Sequence, residues 1–161
     1  MAVLEVRTEG DEVLRKKCKE VKEMTPTLRQ LIEDMFETMY ATNGVGLAAP
    51  QVGVLKRIVV MDVEDGNQYV LINPVIEETD GEQVGDEGCL SVPGKTGTVT
   101  RPEHVIVRAL DENMEEFRLE GTDLLARCIC HECDHLDGVL YVDKVEGGLR
   151  DVEAGEDEEE A

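Results

Sequence analysis

Residues 130–135 read CHECDH, packing two Cys, two His, one Glu and one Asp into a single short run. An α-helix turns about 100° per residue, so with Cys130 at zero His131 falls near about 100° and His135 near about 140°. The two imidazoles then share a face and can grip one metal ion from successive turns. Glu132 falls near about 200°, beside that face, where it reaches a water on the ion rather than the ion itself. This is the division of labour of an H-E-x-x-H site, two ligands and one general base. Cys130 and Cys133 turn to the other side and read as small buried hydrophobes. A C-x-x-C redox pair or a second zinc site is the alternative for them. For the His pair the plain alternative is two exposed histidines beside an acid.

Two imidazoles leave a shell incomplete. The pattern H-E-x-x-H-x-x-G-x-x-H fits as far as Gly138, but its last His would be residue 141, which is Tyr141. The chain beyond His135 is short and ends in the acidic run VEAGEDEEEA, so the third ligand is expected upstream. EGCLSVPG (87–94) offers Cys89 beside Gly88, whose missing side chain permits close backbone approach, with a buried structural Cys as the alternative. GVGLAAPQVG (44–53) offers small residues that let another chain come near its backbone, and Gln51 as a neutral amide donor. It lacks G-x-G-x-x-G spacing and no strand precedes it, which argues against a dinucleotide site; a tight structural turn is the other reading.

These groups need elements to hold them. Thr25-Pro26 is an N-cap followed by Pro at the first helical position. Leu28, Leu31, Ile32, Met35, Phe36, Met39 and Tyr40 then recur at spacings of three and four, an amphipathic helix stopped near Asn43-Gly44. RIVVMDV (57–63), YVLINPVI (69–76) and HVIVRAL (104–110) have strand composition, with residues 115–119 as a partner for the last. Thr122 can cap a second helix through His135 that Gly138 stops, and VLYVDKV is a candidate short strand. Short turns between consecutive strands favour antiparallel pairing, so the expected class is α+β: antiparallel sheets packed around a central C-terminal metal-binding helix, with an N-terminal amphipathic helix.

The 161 residues suit one domain, 41% hydrophobic but only 3% aromatic, so aliphatic side chains must fill the core. A net charge of −21 argues against nucleic acid and anionic membrane partners. No run is long and apolar enough for a membrane span, and the N-terminus lacks a signal-peptide pattern, so a cytoplasmic monomer is expected. Five Cys, an odd number, point in a reducing compartment to metal binding or buried thiols. Residues 1–147 are expected to form the catalytic domain and 148–161 a solvated acidic tail.

Taken together, GVGLAAPQ, EGCLS and HECDHLDG, in this order and separation, resemble the three signature motifs of peptide deformylases. The likeness extends over roughly residues 1–145. It implies that Cys89, His131 and His135 hold one divalent metal per chain, natively Fe(II), with Zn(II), Ni(II) or Co(II) able to substitute. It implies that Glu132 handles the proton, and that Gln51 with the Leu90 backbone N–H stabilises the oxyanion. The implied substrate is the N-formyl group on the initiator methionine of nascent polypeptides, with formate as co-product and ribosome-proximal chains as partners. The peptide is implied to lie as an added strand along Gly44, Val45 and Gly46. Leu124 and Cys128, opposite Val45, are candidate walls of a methionine pocket, with ordinary core as the alternative. Glu87, counted with the cleft, is expected to pair with Arg101 and fix the loop that carries Cys89, against two solvated charges. The family usually has Gln where this chain has Cys130, a change expected to alter packing and not chemistry. The competing functions are an H-E-x-x-H metallopeptidase, a non-catalytic formyl-peptide binder and an acidic structural protein. Retention of both Glu132 and Gln51 speaks against the binder.

Overall fold

A computed structural model describes residues 2–152. The first long helix, α1 (Pro26–Ala41), starts where its cap demands: the Thr25 hydroxyl accepts the Leu28 N–H at 3.1 Å, and Pro26 supplies a fixed φ. It stops where Asn43 turns left-handed (φ 59°) and the Gly44 N–H returns to the Met39 carbonyl.

Among the described residues, eight strands follow the antiparallel rule throughout. β1 (Gly46–Ala48), β2 (Ile58–Met61), β3 (Tyr69–Asp80), β6 (His104–Leu110) and β7 (Glu116–Thr122) form one sheet in the order β1-β2-β3-β6-β7. β4 (Gln83–Cys89), β5 (Val92–Arg101) and β8 (Glu146–Asp151) form the second, in the order β4-β5-β8. The class is α+β, with antiparallel sheets and two long helices.

β2 shows how the larger sheet is buried. All four of its residues are inside, and they alternate: Ile58 and Val60 join the core under α1, whereas Val59 and Met61 join the core under α2 (Asp123–Leu136). A strand covered on both faces needs an unbroken apolar run, and RIVVMDV supplies it. On α2, Ala126, Ile129 and Leu136 are fully buried in the same cluster as Val105, Val107 and Ala109 of β6. Burying side chains the size of Ile129 and Leu136 contributes roughly 1.5–3 kcal/mol each.

Several details differ from the sequence expectation. Thr122 occupies the N-cap position of α2, but its side chain makes no capping bond; it is the last residue of β7, paired with His104. Strand pairing and capping use the same residue, and Asp123 absorbs the change of direction at φ 53°. The run VLYVDKV forms no strand: Tyr141–Asp143 is a single 3-10 turn, and the strand comes later, as β8. β8 is exposed along its whole length, so it carries no apolar stripe and is held by pairing to β5. The pairing runs to Asp151, past the boundary expected at 147, while residues 153–161 of the expected tail lie outside the described chain. β4 and β5 are also absent from the strands expected above, because QVGDEGC and VPGKTGTVTR are Gly-rich and weakly patterned. Gly138, at φ 77°, ends α2 as expected; a Cβ there would lie 2.5 Å from the Arg15 carbonyl oxygen.

Candidate metal centre and active site

The three candidate ligands arrive from two separate elements. α2 presents His131 and His135 from adjacent turns, with ring centroids 5.1 Å apart and planes at 67°. β4 ends on Cys89 after a register shift between Glu87 and Cys89, and Leu90 and Ser91 make the turn into β5. Irregular pairing next to a site re-aims a side chain, and here it turns Cys89 toward the helix. The Cys89 Sγ lies 3.4 Å from His135 Nε2, and one donor atom from each of Cys89, His131 and His135 falls within 4.8 Å of the others. Cys130 and Cys133 take no part; both are buried in the core beneath α2, as the helical wheel requires. Burial pushes the Cys130 thiol up to about 11, so it behaves there as a small neutral side chain.

The donor set suits a divalent cation. A thiolate and two imidazoles favour a transition metal over Mg²⁺ or Ca²⁺. His131 spends Nδ1 on Glu87 at 2.8 Å, which leaves Nε2 facing the cluster. A carboxylate behind a ligating imidazole is the usual way to fix its tautomer and orientation. Both rings are strongly perturbed in opposite directions. Burial acts to lower His131, but its hydrogen bonds to Cys89 and Glu87 raise it well above the ordinary histidine range. Burial and the neighbouring His131 charge push His135 well below it. A half-buried thiol and two buried imidazoles converging in this way are a donor set placed for a cation.

Glu87 is the hub that joins β4 to α2. Its carboxylate accepts from Arg101 Nε (2.8 Å) and Nη2 (2.9 Å), from Arg127 Nη1 (2.5 Å), and from His131 Nδ1. The pairing expected between Glu87 and Arg101 is present and buried, each side chain 3% exposed. Arg101 reaches further to Asp134 at 2.7 Å, which Lys144 also meets at 3.0 Å. Arg127 was missed by sequence reasoning. Besides Glu87 it donates to the carbonyls of Val99 and Gln83, tying α2 to both β5 and β4. The available signal was its place one helical turn before His131, on the buried side of the helix. Burying Glu87, Arg101 and Arg127 together is tolerable because both Glu87 oxygens and both guanidiniums find partners.

The cleft in front of the cluster, about 280 Å³, is lined by Val45, Gly46, Gln51, Leu90, Leu124, Arg127, Cys128 and Glu132, among others. Val45, Leu124 and Cys128 thus face one space, and Leu124 stays half-open to solvent. Gly44 is not among the lining residues. A Cβ there would lie 2.9 Å from Leu90 Cδ1, so this glycine lets Leu90 pack. Gly46 does so for the acid: a Cβ would stand 2.6 Å from Glu132 Oε2 and 2.8 Å from Cys128 Sγ. Glu132 is buried and its Oε1 has no hydrogen-bond partner among the described residues. Burial pushes its carboxyl up to about 7, with His131 pulling down and Glu87 pushing up. A cation beside it would draw it down again.

Gln51 projects from a 3-10 turn (Ala49–Val52) that follows β1, and it is almost fully buried. Its Oε1 accepts the Ala48 N–H at 3.0 Å, and its Nε2 lies 3.6 Å from Cys89 Sγ. Tyr141, which showed no evident chemistry in the sequence, is buried and stacks on His131 with ring centroids 6.0 Å apart.

Comparison with known proteins agrees with this geometry. The family model described as Polypeptide deformylase matches residues 3–150. A peptide deformylase of Agathobacter rectalis is 66% identical over 152 residues, covering 94% of this chain and 96% of the relative. One of Lachnoclostridium phytofermentans is 57% identical over 162 residues, covering 99% of each. Among solved structures, a peptide deformylase from Synechococcus elongatus in complex with actinonin is 50% identical with a TM-score of 0.87, covering 89% of this chain and 81% of that one. Another, from Legionella pneumophila, is 46% identical with the same TM-score of 0.87, covering 90% and 87%. With Cys89, His131, His135, Glu132 and Gln51 brought together from separate motifs, and a family match along nearly the whole described chain, this protein belongs to the polypeptide deformylase family.

Proposed function

We propose that the chain removes the N-formyl group from the initiator methionine of nascent polypeptides and releases formate. The observation that carries the reading is the convergence of Cys89, His131 and His135 beside an unpartnered buried carboxylate, in a chain of this family. A metallopeptidase reading has no comparable support, since the two relatives named above are peptide deformylases matched over 96% and 99% of their length.

Cys89 and the two imidazoles are the residues that would hold the cation. A divalent metal bound there supplies Lewis acidity, polarising the formyl oxygen and making water a better nucleophile. The protein's own groups do the rest. Water oxygen adds to the formyl carbon, and Glu132 takes the proton it sheds. Charge moves onto the formyl oxygen, where the Gln51 Nε2–H and the Leu90 N–H meet it. The C–N bond then breaks, Glu132 returns the proton to the departing amine, and formate leaves. β1 is the terminal strand of its sheet, so its free side offers main-chain groups along Val45 and Gly46 to an extended peptide. The methionine side chain lies between Val45, Leu124 and Cys128.

Family members are metalloenzymes; for this chain we assign Fe(II) as the native ion, one per chain, with Ni(II), Co(II) and Zn(II) able to replace it. The enzyme acts as a cytoplasmic monomer on N-formylmethionyl peptides and on chains emerging near the ribosome. The catalytic unit is a single domain followed by an acidic tail. Formate release from formyl-Met-Ala-Ser by anaerobically purified protein, beside Glu132→Ala, tests the activity. Release of formate with the tripeptide chain intact is expected, and its cleavage into shorter peptides would refute the reading. Reconstitution with Fe(II), Ni(II) and Zn(II) separately should give slower turnover with Zn(II); equal rates would refute the metal assignment.

A further inference from the structure

Ser91 is completely buried, at the second position of the turn between β4 and β5, immediately after Leu90. Its Oγ accepts a hydrogen bond from Gln51 Nε2 at 3.0 Å. At the other end of the same amide, Gln51 Oε1 accepts from the Ala48 N–H at 3.0 Å. A carboxamide has one oxygen and two N–H donors, so these two bonds settle which end of the side chain is which. One Nε2 hydrogen is taken by Ser91. The other is left on the side of Cys89, whose Sγ is 3.6 Å from Nε2. The backbones of the two residues are tied to one N-terminal segment: the Arg7 N–H donates to the Gln51 carbonyl at 2.6 Å, and the Glu9 N–H to the Ser91 carbonyl at 2.7 Å. The hydroxyl therefore sits on a frame rigid enough to orient what it holds.

We propose that Ser91 is a positioning residue for the reaction: its hydroxyl holds the Gln51 amide so that the second N–H points at the site of the developing oxyanion. The proposal rests on the role given above to Gln51. The physical reason is that the terminal torsion of a Gln side chain is soft, with broad and nearly two-fold wells. With Ser91 Oγ removed, the amide keeps only the Ala48 bond and the long 3.6 Å contact to Cys89 Sγ among the described residues, and the second N–H can swing off the reacting oxygen. Such a donor contributes only when it is already aimed, because its value comes from avoiding reorganisation during the reaction.

The test is a double-mutant cycle on the metal-loaded full chain, with Ser91→Ala, Gln51→Ala and the double variant assayed on formyl-Met-Ala-Ser. Metal content and circular dichroism are measured on each. Ser91→Ala should lower kcat about tenfold and leave KM within about twofold, the signature of an interaction made in the transition state. Gln51→Ala should lower kcat by ~10²–10³. The double variant should be no slower than Gln51→Ala alone, since Ser91 acts only through that amide. As a second measurement, affinity for a tetrahedral phosphinate analogue should fall with Ser91→Ala in proportion to kcat, while affinity for the deformylated product peptide stays unchanged. Multiplicative losses in the double variant, an unchanged kcat in Ser91→Ala, or equal loss of analogue and product affinity would each overturn the proposal. If Gln51→Ala alone retains full activity, the oxyanion role of Gln51 fails first, and the role of Ser91 falls with it.

Discussion

Gly46→Ala is the sharpest probe of how the acid is placed. The backbone at Gly46 is not in the left-handed region, so alanine brings no conformational penalty there. The added methyl would lie 2.6 Å from Glu132 Oε2 and 2.8 Å from Cys128 Sγ, where ordinary contact begins at 3.4 Å. Glu132 must therefore retreat by about 0.8 Å, since contacts that short are strongly repulsive. A displacement of about 1 Å in a reacting group can cost ~10² in rate. The three atoms nearest the methyl belong to Glu132 and Cys128 and not to Cys89, His131 or His135, so metal content should match that of the parent. The expected result is a kcat lower by about 10²-fold in a folded, fully metallated variant, followed as formate release under steady-state conditions. Activity close to that of the parent, with metal and fold intact, would refute the idea that Gly46 exists to make room for Glu132 and that the acid's position limits turnover.

Other perturbations address the network behind the ligands. Arg127→Met removes one partner of the buried Glu87, which keeps Arg101; a loss of about 3 kcal/mol is expected, the low end for breaking a buried pair. For a domain of this size that is a fall in Tm of about 6–12 °C by differential scanning calorimetry, and a shift below about 2 °C would refute it. Arg101→Ala removes one partner from each of Glu87 and Asp134 and should weaken metal affinity by ~10–100-fold in chelator competition, as loss of support behind a ligand does. In metal-free protein, Cys89, the one half-buried thiol, should be alkylated first. Cys18 and Cys130, which burial pushes to about 11, should lag far behind. Mass spectrometry after limited alkylation reads this directly, and adding metal should protect Cys89; early labelling of Cys130 would contradict its placement.

The amino-acid sequence by itself determined the local features. The 3.6-residue period placed α1 with both of its ends, because the Thr25 cap and the Asn43-Gly44 stop are chemistry between near neighbours. The wheel angles of residues 130–135 separated His131 and His135 from Cys130 and Cys133, because a helix fixes direction from spacing alone. What only the tertiary structure decided involves groups distant in the chain. Whether Cys89 closes the shell depends on how the β4–β5 turn meets α2, and a lone Cys beside a glycine has no periodicity to reveal it. The role of Arg127 is set by β4 and β5, which bring two backbone carbonyls and a carboxylate to its guanidinium. β8 could not be read at all, since an exposed strand held by main-chain bonds to β5 leaves no apolar pattern in its own residues. Spacing dictates what neighbours in a chain can do, whereas a partner far along it becomes visible only when folding brings the two together.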